Sequence, residues 1–140
     1  MLVNLKDEIS KTKIKSANDA YTVLRKALLT QDEIDQDKEH MIVLGLMRNN
    51  NIKFVDIVTV GTLTGTLVHP REIFRRAIIN AVSSVIIGHN HPSGNRQPSR
   101  EDIAVTQKLR EAGKIIEIEL TDHIIFTHEE FYSFANEGIL

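Results

Sequence analysis

His89 and His91 stand one residue apart, and after seven intervening residues come Ser99 and, three positions on, Asp102. Two neutral imidazole nitrogens and one carboxylate oxygen are the three protein ligands a catalytic zinc ion takes, with water in the fourth position. Val85-Ile86-Ile87 is a short apolar run of the kind that forms an interior strand. The histidines fall where that strand ends. In extended chain residues i and i+2 point the same way, so both can face one ion. Pro92, Gly94 and Pro98 then break the chain into a loop. Ser99 is a good helix N-cap, which places Asp102 in the first turn, aimed back toward the loop. Each histidine alone is compatible with a surface loop, and Ser99-x-x-Asp102 with a capping box, although that motif prefers Glu or Gln in the last place. The combined spacing is much rarer than its parts and points to a bound metal.

At these residues the chain resembles a known family. H-x-H, seven residues and S-x-x-D is similar to the signature of the JAMM (MPN, also called JAB) metalloprotease domain. The fuller string, HNHPSG followed by PSREDI and then Thr121-Asp122-His123-Ile124-Ile125, resembles the bacterial RadC branch, as do Gly61-Thr62-Leu63 and His69-Pro70-Arg71-Glu72. The resemblance covers the chain from about Ala17 to the C-terminus. It implies a cytidine-deaminase-like, three-layer α/β domain and a zinc ion on His89, His91 and Asp102. It also implies a water-dependent cleavage of a peptide or isopeptide bond. In that family a glutamate at the start of the strand after the first helix is the general base, and Glu39 occupies that place. Ser99 matches the serine that helps stabilise the oxyanion, a role for which a donor aimed at developing charge is suited.

Each assignment has a plainer reading. Glu39 also belongs to an acid-rich loop where carboxylates are easily solvated. Asp56, inside a strand, is the alternative carboxylate, but its position reads as solvent-facing. Ser99 serves equally as an N-cap. Asp122-His123 reads as a turn residue followed by a strand start, rather than as groups orienting a metal ligand. His40, His69 and His128 read as structural or surface residues.

The 140 residues suffice for one hydrophobic core, and 41% apolar with 26% charged content is ordinary for a globular protein. Cysteine is absent, so any metal site must be built from nitrogen and oxygen. That absence fits a reducing bacterial cytoplasm. Residues 1–16 carry Lys6, Asp7, Glu8, Lys11, Lys13 and Lys15 with no apolar run behind them, so neither a signal peptide nor a membrane span is expected. They read as an N-terminal extension to a single domain over residues 17–140. Long members of the RadC-like group carry a helix-hairpin-helix element before this domain. The present sequence starts almost at the domain, so that element is not expected here.

Periodicity predicts a mixed α/β order. Helices are expected over Ala17–Leu29, from Pro70 to about Ala81 (burying Ile73, Phe74, Ala77, Ile78 and Ala81), and from Ser99 to Ala112, ended by Gly113. Thr30–Lys38 reads as a loop, and Gly61 and Gly65 as breaks. Strands are expected over Met41–Met47, Ile52–Val60, Val85–Ile87, Ile115–Leu120 and His123–Thr127, with a short helix over Glu129–Asn136. Alternating helices and interior strands imply a mixed sheet with helices on both faces.

Three functions compete at this level. The first is a zinc hydrolase. The second is a non-catalytic, metal-stabilised interaction module associated with DNA repair or replication. The third, a non-haem iron oxygenase, fits the ligand types but not the spacing. An open three-ligand motif favours the hydrolase. Net charge is −2, from 17 basic and 19 acidic residues. Arg71, Arg75, Arg76, Arg96, Arg100 and Arg110 offer a local basic patch, but read better as a solvated helix face and a polar loop. Duplex DNA binding is accordingly expected to be weak and to collapse as salt rises. Fluorescence anisotropy across a salt series checks this, and tight binding at physiological salt would revive the repair-module reading.

Overall fold

A computed structural model describes residues 1–4, 9, 12–61 and 68–140. The expectations placed on Lys6, Asp7, Glu8, Lys11, Thr62, Leu63 and Gly65 lie outside the described residues.

A five-stranded mixed sheet has the order β2-β1-β3-β4-β5, with β1 (His40–Leu46), β2 (Ile52–Val60), β3 (Ser84–Asn90), β4 (Glu119–Phe126) and β5 (Phe131–Ser133). All neighbours are antiparallel except β3 and β4, which run parallel. That pair needs a long crossover, supplied by helix α4 (Arg100–Ile116). Every residue of β1 and β3 is buried, as expected of central strands covered on both faces.

Helix α1 (Ala17–Leu28) begins at Ser16, whose hydroxyl accepts from the Asp19 N–H. Its apolar stripe of Ala20, Val23, Leu24, Ala27 and Leu28 packs on Ile42, Leu44, Ile86, Ile124 and Phe126. Gly88 permits that approach, because a Cβ there would sit 2.3 Å from a Leu24 methyl. The opposite sheet face carries Met41, Val43, Val85 and Ile87 against Ile73, Phe74, Ala77, Val105 and Leu109. Those come from α2 (Pro70–Ile73), α3 (Arg75–Ile79) and α4. The three-layer α/β architecture implied by the resemblance is thus the one observed.

Four local expectations are corrected. The helix read over Pro70–Ala81 is two short helices meeting at Phe74, and Ile78 and Ala81 are exposed. It ends when Ala81 turns left-handed (φ 52°), with Val82 N–H donating to the Ala77 carbonyl and Ala81 N–H to that of Ile78. Gly113 does not end α4. The helix continues through Ile115 and Ile116, which were expected in a strand, and Glu117 takes the left-handed position (φ 58°). Gly113 is needed instead for close packing, since a Cβ would meet the Ile118 carbonyl oxygen at 2.4 Å.

The two strands expected over Ile115–Leu120 and His123–Thr127 are one, β4. It absorbs Thr121 as an irregularity in its register with β3, so Asp122 is not a turn. The final helix is a turn followed by β5. Thr127 Oγ1 accepts from the Glu129 and Glu130 N–H groups and reverses the chain, pairing Phe131 with Phe126. The Phe131 and Phe134 spacing imitates a helical stripe but belongs to this return. Two smaller differences are a short 3-10 turn (Asp35–Asp37) within the expected loop and a β3 that runs through the first histidine.

Two substitutions test the misplaced glycine. Gly113→Ala gains about 1 kcal/mol of helix propensity, but the contact with the Ile118 carbonyl should outweigh it and leave the protein about 1–3 kcal/mol less stable. Glu117→Gly should stabilise by up to about 1 kcal/mol by relieving a left-handed residue. Urea unfolding of both measures this, and a stabilised Gly113→Ala would contradict the packing role.

Candidate metal centre

His89 and His91 leave the C-terminal end of β3, and Asp102 arrives from the first turn of α4. One potential ligand atom from each lies within 4.8 Å of the others. The Asp102 carboxylate sits between the rings, with Oδ1 3.2 Å from His89 Nδ1 and Oδ2 3.3 Å from His91 Nε2. The rings meet edge to face, with centroids 4.7 Å apart. His91 Nδ1 lies 2.7 Å from the Asn95 carbonyl, and donating its proton there leaves Nε2 as the lone-pair nitrogen facing Asp102.

Ser99-x-x-Asp102 forms the capping box and at the same time brings the carboxylate to the histidines. Ser99 Oγ accepts from the Asp102 N–H at 3.1 Å, and Ser99 N–H donates to Asp102 Oδ2 at 2.8 Å, closing a capping box with aspartate at its far end. The cap aims the carboxylate at the histidines. Ser99 itself is exposed on the wall of a cleft of about 420 Å³, whose other walls include Glu39, His91, Asn95 and Asp102.

The donor set fits a metal. His89 is 3% exposed, and its two buried ring nitrogens, although 3.2 Å from Asp102 Oδ1 and 3.6 Å from Glu39 Oε2, make no well-aligned hydrogen bond. Buried polar atoms rarely go unsatisfied unless another ligand claims them. The electrostatics favour a cation. Burial disfavours charge on His89, yet Asp102 and Glu39 beside it outweigh that and raise its pKa above the usual value. Burial likewise pushes Asp102 up, but the two histidines and the Ser99 N–H hold it far below the usual carboxylate range.

Glu39 precedes β1 and reaches the same cleft, with Oε2 3.6 Å from His89 Nε2. Its side chain is partly exposed, so it is a cleft residue and not only a member of the acidic loop. Asp56 is elsewhere. It lies in mid-β2 opposite Val43 and is 6% exposed, held by the Met1 amine at 2.9 Å and Arg76 Nε at 3.7 Å. The solvent-facing position expected for it is corrected, because an ion pair makes its burial tolerable.

The turn reading of Asp122 is also corrected, since it lies within β4, and His123, expected at a strand start, is buried inside the same strand. Asp122 accepts from Ser133 Oγ at 2.6 Å, the Ala135 N–H at 3.0 Å and the His123 N–H at 2.7 Å, tying down the segment after β5. Burial still pushes its pKa up. His123 stacks on Phe134 (4.7 Å) and lies beneath His89 (6.3 Å), with Nδ1 2.6 Å from Thr106 Oγ1. Burial, reinforced by the His89 charge, lowers its pKa to about 3.

His40 is buried with Nδ1 2.8 Å from the Lys38 carbonyl, while His128 is exposed. Of the six arginines named above as a possible basic patch, Arg76 pairs with Asp56, and Arg96 with Glu130 and the Phe131 carbonyl. Asn90, Asn95 and Thr106 carried no signal in isolation. Asn90 reads as a spacer, Asn95 acts through its backbone, and Thr106 is meaningful only across from His123.

Comparison with known sequences agrees with this geometry. The sequence model of the RadC-like JAB domain family matches residues 14–139. A protein named UPF0758 from Methanococcoides burtonii is 45% identical over 130 residues, covering 93% of this chain and 55% of that protein. UPF0758 proteins from Chlorobaculum tepidum (41% over 128 residues, 91% and 55%) and Desulforamulus reducens (43% over 113 residues, 81% and 50%) are similar. The chain spans about half the length of these relatives. Among the described residues no helix is long and apolar enough to cross a membrane.

Two outcomes are expected. The purified protein should carry one divalent metal per chain, measured by elemental analysis, and His89→Ala should lose it. An unchanged metal content in that variant would remove His89 from the site. In metal-free protein, the depressed His123 pKa means that the unfolded chain takes up a proton first as pH falls. Its contribution is full above about pH 6.5 and is lost progressively toward the folded value near 3. Stability should therefore fall more steeply between pH 6.5 and 4.5 in wild type than in His123→Gln. Parallel curves from urea unfolding would refute it.

Proposed function

Because this chain belongs to the RadC-like JAB domain family, we propose that it is a zinc-dependent hydrolase of amide or isopeptide bonds, using His89, His91 and Asp102 as metal ligands. The observation that carries this reading is Glu39, a carboxylate beside the ligand cluster but outside it, on the wall of the same cleft. A purely structural zinc site is closed by a fourth protein ligand. Among the described residues the cluster has three, which suits an open site.

Zinc held there would supply Lewis acidity, bringing a water to ionise near neutral pH and polarising the scissile carbonyl. Glu39, on the cleft wall, would be the carboxylate that accepts the proton of the attacking water and passes it to the leaving amine. Ser99 Oγ already accepts from the Asp102 N–H, so its own proton is available to donate to the oxyanion that develops on the former carbonyl oxygen. Asn95 fixes the tautomer of His91 through its carbonyl. The cleft is open and its walls are mostly loop, which suits an extended peptide or a lysine-linked chain better than a small molecule.

Glu39→Gln separates binding from chemistry, since the amide is nearly isosteric but cannot accept the proton. The variant should keep its metal and lose hydrolysis of peptide and isopeptide substrates by roughly 10²–10⁴-fold. Elemental analysis beside a substrate screen checks both halves. Full activity in Glu39→Gln would remove Glu39 as the base.

A further inference from the structure

Asn90, the residue between the two metal-ligating histidines, faces away from them, and its side chain takes the place of a strand partner at the end of β1. The β1–β3 ladder pairs Met41 with His89 and goes no further. Beyond it, the Asn90 carboxamide accepts from the His40 N–H through Oδ1, and donates from Nδ2 to the Lys38 carbonyl at 2.9 Å. These are the backbone groups on either side of Glu39. The Glu39 carbonyl is itself held from the other side by the Gly61 N–H at 2.8 Å. Asn90 is 3% exposed, so the bond to His40 is sheltered from water and the bond to Lys38 partly so. A primary amide offers both a donor and an acceptor, as a peptide group does, whereas aspartate lacks the donor and leucine lacks both.

From this placement we infer that Asn90 is the positioning residue for Glu39: it clamps the chain on both sides of the base and so fixes the base against the metal ligands. The inference rests on the reading of Glu39 as the base. One strand end thereby supplies the ligands on one face and the registration of the base on the other. Removing the clamp leaves His89, His91 and Asp102 in place and frees residues 38–40 from β3. A shift of about 1 Å in a reacting group is enough to cost on the order of 100-fold in rate.

The test uses zinc-loaded wild type, Glu39→Gln, Asn90→Leu and the double variant. Acetohydroxamic acid is the probe, because on chelating a metal it gives up a proton that needs an acceptor beside the ion. Calorimetry measures its affinity, and competition with a chelator measures that of zinc. All four proteins should hold one zinc with unchanged affinity. Glu39→Gln and Asn90→Leu should each weaken the hydroxamate by roughly 10- to 100-fold, the worth of a hydrogen bond to a charged group. The double variant should be no weaker than Glu39→Gln alone, because Asn90 acts through Glu39.

Unchanged hydroxamate affinity in Glu39→Gln would sink the reading of the base and this inference with it. A weakened Glu39→Gln beside an unaffected Asn90→Leu, additive losses, or loss of zinc in Asn90→Leu would overturn the inference alone. Should Asn90→Leu fail to fold, Asn90→Asp decides. It keeps the acceptor for His40 and removes the donor to Lys38, so wild-type hydroxamate affinity in that variant overturns the clamp.

Discussion

The carboxylate of Asp102 has two oxygens and three claimants, and much of the structure follows from meeting those claims at once. His89 and His91 approach from the end of β3, and the Ser99 N–H comes from the start of α4. For one side chain to reach all three, a strand end, a loop broken by prolines and a helix start must converge. The parallel β3–β4 pairing provides that geometry, because its crossover helix begins above the strand it has just left. Buried and beside these donors, Asp102 is held in its ionised form, and a cation bound there would satisfy the buried imidazole nitrogens of His89.

Beneath that cluster lies a second polar layer that never reaches solvent. His123 supports the underside of His89 and is braced by Thr106, which also bonds the Asp102 carbonyl one turn back along α4. Asp122, its neighbour in β4, gathers the donors of the segment after β5. A buried polar network of this kind costs free energy unless its members are paired, and most of these are. Its return is rigidity: the ligand ring rests on a stacked imidazole and Phe134 rather than on a loop.

The curated relatives that share this domain are about twice as long as the chain, and the domain they share with it carries the His89, His91 and Asp102 cluster and its cleft. The cleft beside the His89, His91 and Asp102 cluster and a neighbouring one of about 470 Å³ share His91 and Pro92 as a common wall. Arg96 pins the metal loop to the β4–β5 return through the Phe131 carbonyl, so the ridge between the clefts is tied down at its far end.

The sequence by itself determined the candidate ligand cluster, the strand end and helix start that carry it, and the layered α/β class. Those depend on short-range rules: alternation in a strand, the N-cap, prolines in the loop, and apolar runs in Met41–Met47 and Val85–Ile87. Tertiary structure alone decided where α4 stops, because Gly113 is spent on contact with the Ile118 carbonyl and Glu117 takes the left-handed turn in its place. It also made a strand of the segment at Phe131, through bonds from Thr127 and Asp122 that connect residues with no shared periodicity. Local pattern reads Asp56 as solvent-facing and His123 as a plain strand start, because a polar residue is ordinarily cheapest in water. Their burial depends on partners distant in sequence, Met1 and Arg76 for one and Thr106 and Phe134 for the other. Local pattern can name a residue that is able to ligate or to turn, but whether a polar group is worth burying depends on what the rest of the chain brings to it.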